Sequence, residues 1–65
     1  MSIKLIRIKD VMDRTGLARS TVYKYINEGK FPKPIKLGTR AVAWVEDEID
    51  TWIQESIERR DIDSV

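Results

Sequence analysis

Apolar residues recur along this 65-residue chain at spacings that change from segment to segment, and each spacing predicts an element. In the central stretch, Val22, Tyr25 and Ile26 stand at i, i+3 and i+4, one edge of a helix. At about 100° per residue, Ser20, Lys24 and Asn27 fall on the opposite edge, with Tyr23 on the shoulder and Arg19 and Thr21 at the N-terminal end. Gly29 ends the run, because glycine tolerates the positive φ of the residue just past a helix. The pattern predicts a helix over about 19–28. A helix this short does not persist alone in water, so its apolar edge has to dock.

Upstream, Ile8, Val11, Met12 and Thr15 repeat the helical spacing and predict a helix over about 8–14. Asp10 and Arg14 are placed as an i, i+4 ion pair, worth about a few tenths of a kcal/mol. The start is weakly specified, since Arg7 is a poor N-cap. Gly16-Leu17-Ala18 forms the turn between the two helices, with Gly16 left-handed and Leu17 filling the angle. Two short helices joined by a short turn containing Gly make a helix-turn-helix. Ala18 occupies the N-cap of the second helix, where Ser, Thr or Asp is preferred, with Ser20 and Thr21 available to compensate in part. The lead-in Lys4-Leu-Ile-Arg-Ile8 is a short entry segment expected to form a single β-bridge, with Leu5 and Ile6 under the domain.

Downstream the period becomes two. Ile35 and Leu37 alternate with Lys36, and Val42 and Trp44 alternate with Ala41 and Ala43. This predicts a hairpin over about 35–37 and 41–44, turning at Gly38-Thr39-Arg40. Pro32 and Pro34 forbid helix between the second helix and the hairpin and make residues 30–34 an extended connector. Phe31 is expected to turn inward. The helical stripe then resumes as Val45, Ile49, Trp52, Ile53, Ser56 and Ile57, predicting a third helix over about 46–60. Glu46, Asp47 and Glu48 sit at the positive end of its dipole, and Arg59 and Arg60 at the negative end. Residues 61–65 are expected as a frayed tail. Trp44 and Trp52 are expected in the core with their N–H groups at its boundary. The sum is one mainly α domain with a small β-hairpin: a winged helix-turn-helix of three helices and a two-stranded wing.

Composition narrows the chemistry. Histidine and cysteine are absent, which removes the commonest general base, the commonest metal ligand and any thiolate site. No glycine-rich phosphate loop or paired carboxylate motif takes their place. An enzyme is not expected, nor a cofactor or metal. Met1-Ser2-Ile3-Lys4 does not resemble a signal peptide, and no apolar run approaches the roughly 20 residues of a membrane span, so a cytoplasmic protein is expected.

Charge changes the picture more. The net charge of +1 conceals a division. Residues 1–40 carry ten basic side chains against three acids, a net +7; residues 41–65 carry two against eight, a net −6. Such asymmetry marks a protein with one face toward a polyanion. The free edge of the second helix then gains meaning, because Ser, Thr, Asn, Arg, Lys and Tyr are the side chains that contact phosphates and base edges in a groove. The alternative for that edge is an ordinary solvated surface. Lys36 and Arg40 have an alternative too, as charges that protect an edge strand from pairing with another chain.

Four segments together resemble the AlpA family of small phage and prophage regulators. They are Leu5-Ile-Arg-Ile-Lys-Asp-Val11, Thr15-Gly-Leu-Ala-Arg-Ser-Thr-Val-Tyr23, Gly29-Lys-Phe-Pro-Lys-Pro-Ile-Lys-Leu-Gly38 and Ala43-Trp-Val-Glu-Asp-Glu-Ile-Asp-Thr-Trp-Ile53. The resemblance spans about residues 5–57. That family is similar to excisionases and to the MerR-type winged helix. The resemblance implies a regulator that binds double-stranded DNA on the nucleoid of a bacterial cell. It would activate transcription of an integrase, act as a recombination directionality factor, or both, with an integrase or RNA polymerase as further partners. It places the recognition helix from Arg19-Ser20-Thr21 through Tyr23 and Lys24, and the wing tip at Gly38-Thr39-Arg40. The family commonly has Ser where this chain has Ala18 and often Gly where it has Thr39.

The DNA-binding set expected is therefore Arg19, Ser20, Thr21, Tyr23, Lys24, Asn27, Lys36, Thr39 and Arg40. Ser20 and Lys24, with Arg19 and Asn27, are assigned to base edges. Thr21, Tyr23 and the helix N-terminus are assigned to phosphates, and Lys36 and Arg40 to the flanking backbone or minor groove. A domain this small covers little DNA, so several copies on adjacent sites are expected. The competing reading is a protein-interaction module that meets a basic partner such as a recombinase through the acidic third helix. An RNA-binding role lacks the usual aromatic stacking platform.

Overall fold

The computed structural model describes residues 2–63. The elements in chain order are β1 (Leu5–Ile6), α1 (Ile8–Thr15), α2 (Arg19–Asn27), β2 (Ile35–Lys36), β3 (Val42–Val45) and α3 (Glu46–Asp63). It is mainly α with a small antiparallel sheet, the winged helix-turn-helix arrangement that the spacing predicts.

The two glycine stops form as expected. Gly16 has φ 73° and its N–H donates to the Met12 carbonyl, closing α1. Gly29 has φ 72°, its N–H donates to Ile26 O (3.1 Å), and the Lys30 N–H donates to Tyr25 O (2.8 Å). That pair of bonds is a Schellman cap, which satisfies the last carbonyls of α2. Neither Arg7 nor Ala18 makes a side-chain cap bond, so both helix starts are as weak as their sequences imply.

The lead-in does more than bridge. Leu5 pairs with Val45 and Ile6 with Trp44, while Ile35 pairs with Ala43 and Lys36 with Val42. The ribbon is therefore a three-stranded sheet of order β1-β3-β2. Val45, expected in the third helical stripe, is the last residue of β3 instead, and α3 follows without a loop. The Glu46 N–H, otherwise orphaned at a helix start, donates to the Lys4 carbonyl (2.8 Å). The end of α3 also differs. The helix runs to Asp63, so residues 61–63 of the expected frayed tail are helical and residues 64–65 lie outside the described residues.

Ile6, Val11, Val22, Phe31, Trp44 and Ile49 form the core, one from nearly every element. Leu17, Tyr25, Ile26, Trp52 and Ile53 pack at its margin. No polar side chain among the described residues is buried without a hydrogen bond. Ile57 (40% exposed), Ile35 (42%) and Leu37 (50%) sit further out than their alternation predicts. Leu37 lies just past the end of β2 in the wing, and Ile57 lies well inside α3.

Candidate nucleic-acid interface

Helix α2 turns Val22 fully inward and leaves Arg19, Ser20, Lys24 and Asn27 exposed. Thr21 is half-buried at its N-terminal end. Tyr23 is half-buried as well. Its ring meets Trp44 edge-on, with centroids 6.3 Å apart, so part of it is held by the core and the rest faces out. The first turn of α2 holds no acid, and no side chain caps it. Its N–H groups and partial positive charge therefore face outward beside Arg19, the arrangement that binds an anion.

The second part of the surface is the wing. Leu37 N–H donates to Ala41 O (2.7 Å), which closes the loop and carries Gly38, Thr39 and Arg40 at its tip. Lys36, Thr39 and Arg40 are exposed. Of the nine residues assigned from sequence, seven are exposed and two half-buried, and none lies in the interior. The two groups are joined through β3: Trp44 touches Tyr23 of α2, and the neighbouring Ala43 pairs with Ile35 of β2.

Arg14 does not pair with Asp10 as expected. Its guanidinium donates to Glu46 (2.7 Å) and lies 3.5 Å from Asp50, clamping the end of α1 to the start of α3. The Glu46 hydrogen bond, ahead of any other influence, raises the Arg14 pKa above its already high ordinary value. A long-range pair wins because Glu46 is half-buried and its backbone N–H is tied to the Lys4 carbonyl at the start of α3, whereas an exposed i, i+4 pair gains little. Glu46, Asp47 and Asp50 bring carboxylate oxygens within 4.8 Å of one another. Arg14 and, at 3.9 Å, Lys4 already face that charge.

Two side chains that shape this surface were not singled out as functional from sequence. The Trp44 indole N–H donates to the Pro32 carbonyl (3.0 Å), and the Trp52 indole N–H to the Lys30 carbonyl (2.7 Å). Phe31 lies between, buried, with its ring 4.8 Å from that of Trp52. The signal was available in part. A buried indole needs an acceptor, and a connector with two prolines leaves carbonyls without regular partners. Which indole meets which carbonyl is a matter of tertiary packing. Among the described residues, no helix is long and apolar enough to cross a membrane.

Comparison with known proteins agrees with this architecture. A family model described as "Prophage CP4-57 regulatory protein (AlpA)" matches residues 4–57. The chain is 35% identical over 60 residues to the DNA-binding transcriptional activator AlpA of Escherichia coli K12, covering 83% of this chain and 86% of that protein. It is 40% identical over 50 residues to the uncharacterized protein ORF88 of enterobacteria phage P4, covering 77% of this chain and 57% of that protein. With the helix-turn-helix, the wing and the first twelve residues (46–57) of the third helix inside the matched span, the chain belongs to the AlpA family of prophage regulatory proteins.

Proposed function

We propose that this protein is a sequence-specific double-stranded-DNA-binding regulator of a phage or an integrated element. The observation that carries the reading is the exposed polar edge of α2, with its uncapped and acid-free N-terminus. In this reading Ser20 and Lys24, with Arg19 and Asn27, meet base edges in the major groove. Thr21, the outer part of Tyr23 and the N–H groups of the first turn hold phosphates. Lys36, Thr39 and Arg40 grip the flanking backbone or minor groove. The relative from Escherichia coli is named a transcriptional activator, which supports a regulatory role here. The regulator activates transcription of an integrase gene, promotes excision, or does both, and acts in the bacterial cytoplasm as several copies on adjacent sites. An integrase or RNA polymerase is its protein partner.

Fluorescence anisotropy against duplexes from the host element tests this reading. If about six phosphates are neutralised, the binding constant falls with a log–log salt slope of roughly −5. A slope near zero sinks it. Arg40→Ala should weaken all sequences alike, whereas Lys24→Ala should also blur the preference among them. Equal loss of preference from both changes would show that the roles are misassigned.

One observation favours a second reading. An open groove runs between α3 and residues 29–33, with Tyr25 and Trp52 in it, Asp47, Glu48 and Glu55 followed by Arg59 along its α3 wall, and Lys30 and Lys33 on the other side. A basic protein partner would fit that wall. Capture of a recombinase by a chain that shows no DNA affinity would establish this reading in place of the first.

A further inference from the structure

The connector between α2 and the wing has no secondary structure of its own. Residues 30–34 contain two prolines, which donate no backbone hydrogen bond. Such a segment would ordinarily be a loose joint, and β2 with the wing tip would then be held to the rest of the domain only by their pairing to β3. Here it is pinned at three successive residues. The Lys30 carbonyl accepts the Trp52 indole N–H, the Pro32 carbonyl accepts the Trp44 indole N–H, and Phe31 between them is buried against Trp52. The joint begins at a fixed point as well, since the Schellman cap on Gly29 sets the direction in which the chain leaves α2. It ends in β2, whose Ile35 is paired to Ala43, one residue from Trp44.

We infer that Trp52, with Trp44, is a positioning residue for DNA binding: through the Lys30 and Pro32 carbonyls it locks the recognition helix and the wing into one rigid, two-pronged grip. The inference rests on the DNA-binding reading above. Trp52 itself need not touch DNA. It lies on α3, whose exposed acids Asp47, Glu48, Asp50 and Glu55 would be repelled by a polyanion. Its contribution is to make the second contact intramolecular. When α2 is in the groove, a pinned wing already stands beside the backbone, at high effective concentration; a loose wing must be ordered first.

The test is a double-mutant cycle between the pin and the wing tip. Four proteins are compared by anisotropy on one duplex at low temperature: wild type, Arg40→Ala, Trp52→Phe and the double variant. Circular dichroism first confirms that each is folded. Arg40→Ala should weaken wild-type binding about tenfold, as loss of one charge-assisted contact implies. In the Trp52→Phe background the same change should cost only about threefold or less, because a tip whose connector has lost the Lys30 pin is less well placed and has less to lose. A merely structural role would lower the folded fraction and leave the Arg40→Ala penalty unchanged. Pro32→Gly provides an independent version, since it loosens the connector while leaving both indoles in place. Should Trp52→Phe fail to fold, this second cycle decides.

Equal Arg40→Ala penalties in the wild-type and loosened backgrounds would overturn the inference while leaving DNA binding itself intact. Failure of the wild-type protein to bind any duplex would instead overturn the reading on which it rests.

Discussion

Trp44→Phe should be among the most damaging conservative substitutions in this domain. Trp44 is fully buried, and it holds three things together. Its indole N–H bonds the Pro32 carbonyl, its ring supports Tyr23 of α2, and its backbone lies in β3 opposite Ile6. Phenylalanine keeps the strand pairing and most of the ring contact. It removes the hydrogen bond, for about 1 kcal/mol. It also leaves about 40 Å³ unfilled, for roughly a further 1 kcal/mol at the usual cost per unit of cavity volume. Weakening of the edge-on contact with Tyr23 adds up to about 1 kcal/mol. The expected loss is about 2–3 kcal/mol, a large share of what a single core of this size supplies. At about 4–8 °C per kcal/mol for small domains, Tm falls by roughly 10–20 °C.

Trp52→Phe is the control, because it also deletes an indole donor but at a half-buried site. Water can reach the space it opens, so about 1 kcal/mol is expected. Urea denaturation followed by far-UV circular dichroism measures both, with equal slopes required before midpoints are compared. Losses of equal size, or a Trp44→Phe loss below about 1 kcal/mol, would refute the reasoning.

Further expectations follow from particular residues. Gly29→Ala should destabilise by about 1–2 kcal/mol, read from the same denaturation, because its φ of 72° strains any residue with a Cβ even though nothing stands within 4 Å of the added atom. Ala18→Asp should do two opposite things. It supplies the missing cap and stabilises α2 by about 0.5–1 kcal/mol, and it weakens DNA binding in an anisotropy titration by placing a negative charge where a phosphate is proposed. Ile49→Ala should cost about 2–5 kcal/mol in thermal or urea unfolding, since Ile49 is a fully buried anchor of α3 against the sheet. Arg14 is a cation whose folded-state pKa is raised, so its contribution is complete below the unfolded pKa and lost only as pH rises through a still higher value. With no histidine in the chain, DNA affinity at fixed salt should change less than about twofold between about pH 6 and pH 8.

What could be read directly from the residues was local. The 3.6-residue recurrence of Val22, Tyr25 and Ile26 placed α2 within a residue of its observed span, because only one edge of a short helix can be apolar if the other is to be wet. Gly16 and Gly29 marked the helix ends because each needs a positive φ. The same periodicity assigned the outward edge, so Ser20 and Lys24 are exposed as expected. The separation of charge between the two parts of the chain needs only counting.

Partners distant in sequence were not readable in this way. Arg14 had Asp10 four residues away, yet its partners are Glu46 and Asp50, more than thirty residues on. Periodicity says which face of an element is buried but not which element covers it. The third strand and the start of α3 at Glu46 immediately after β3 depend on how the N-terminal segment meets β3 across the sheet. The acceptors of the two indoles, and with them the stiffness of the joint between α2 and the wing, depend on tertiary packing too. Local preferences are each worth about a few tenths of a kcal/mol to 1 kcal/mol and act within a turn or two. The long-range pairings exist only once the whole core has closed, and it is that closure which decides them.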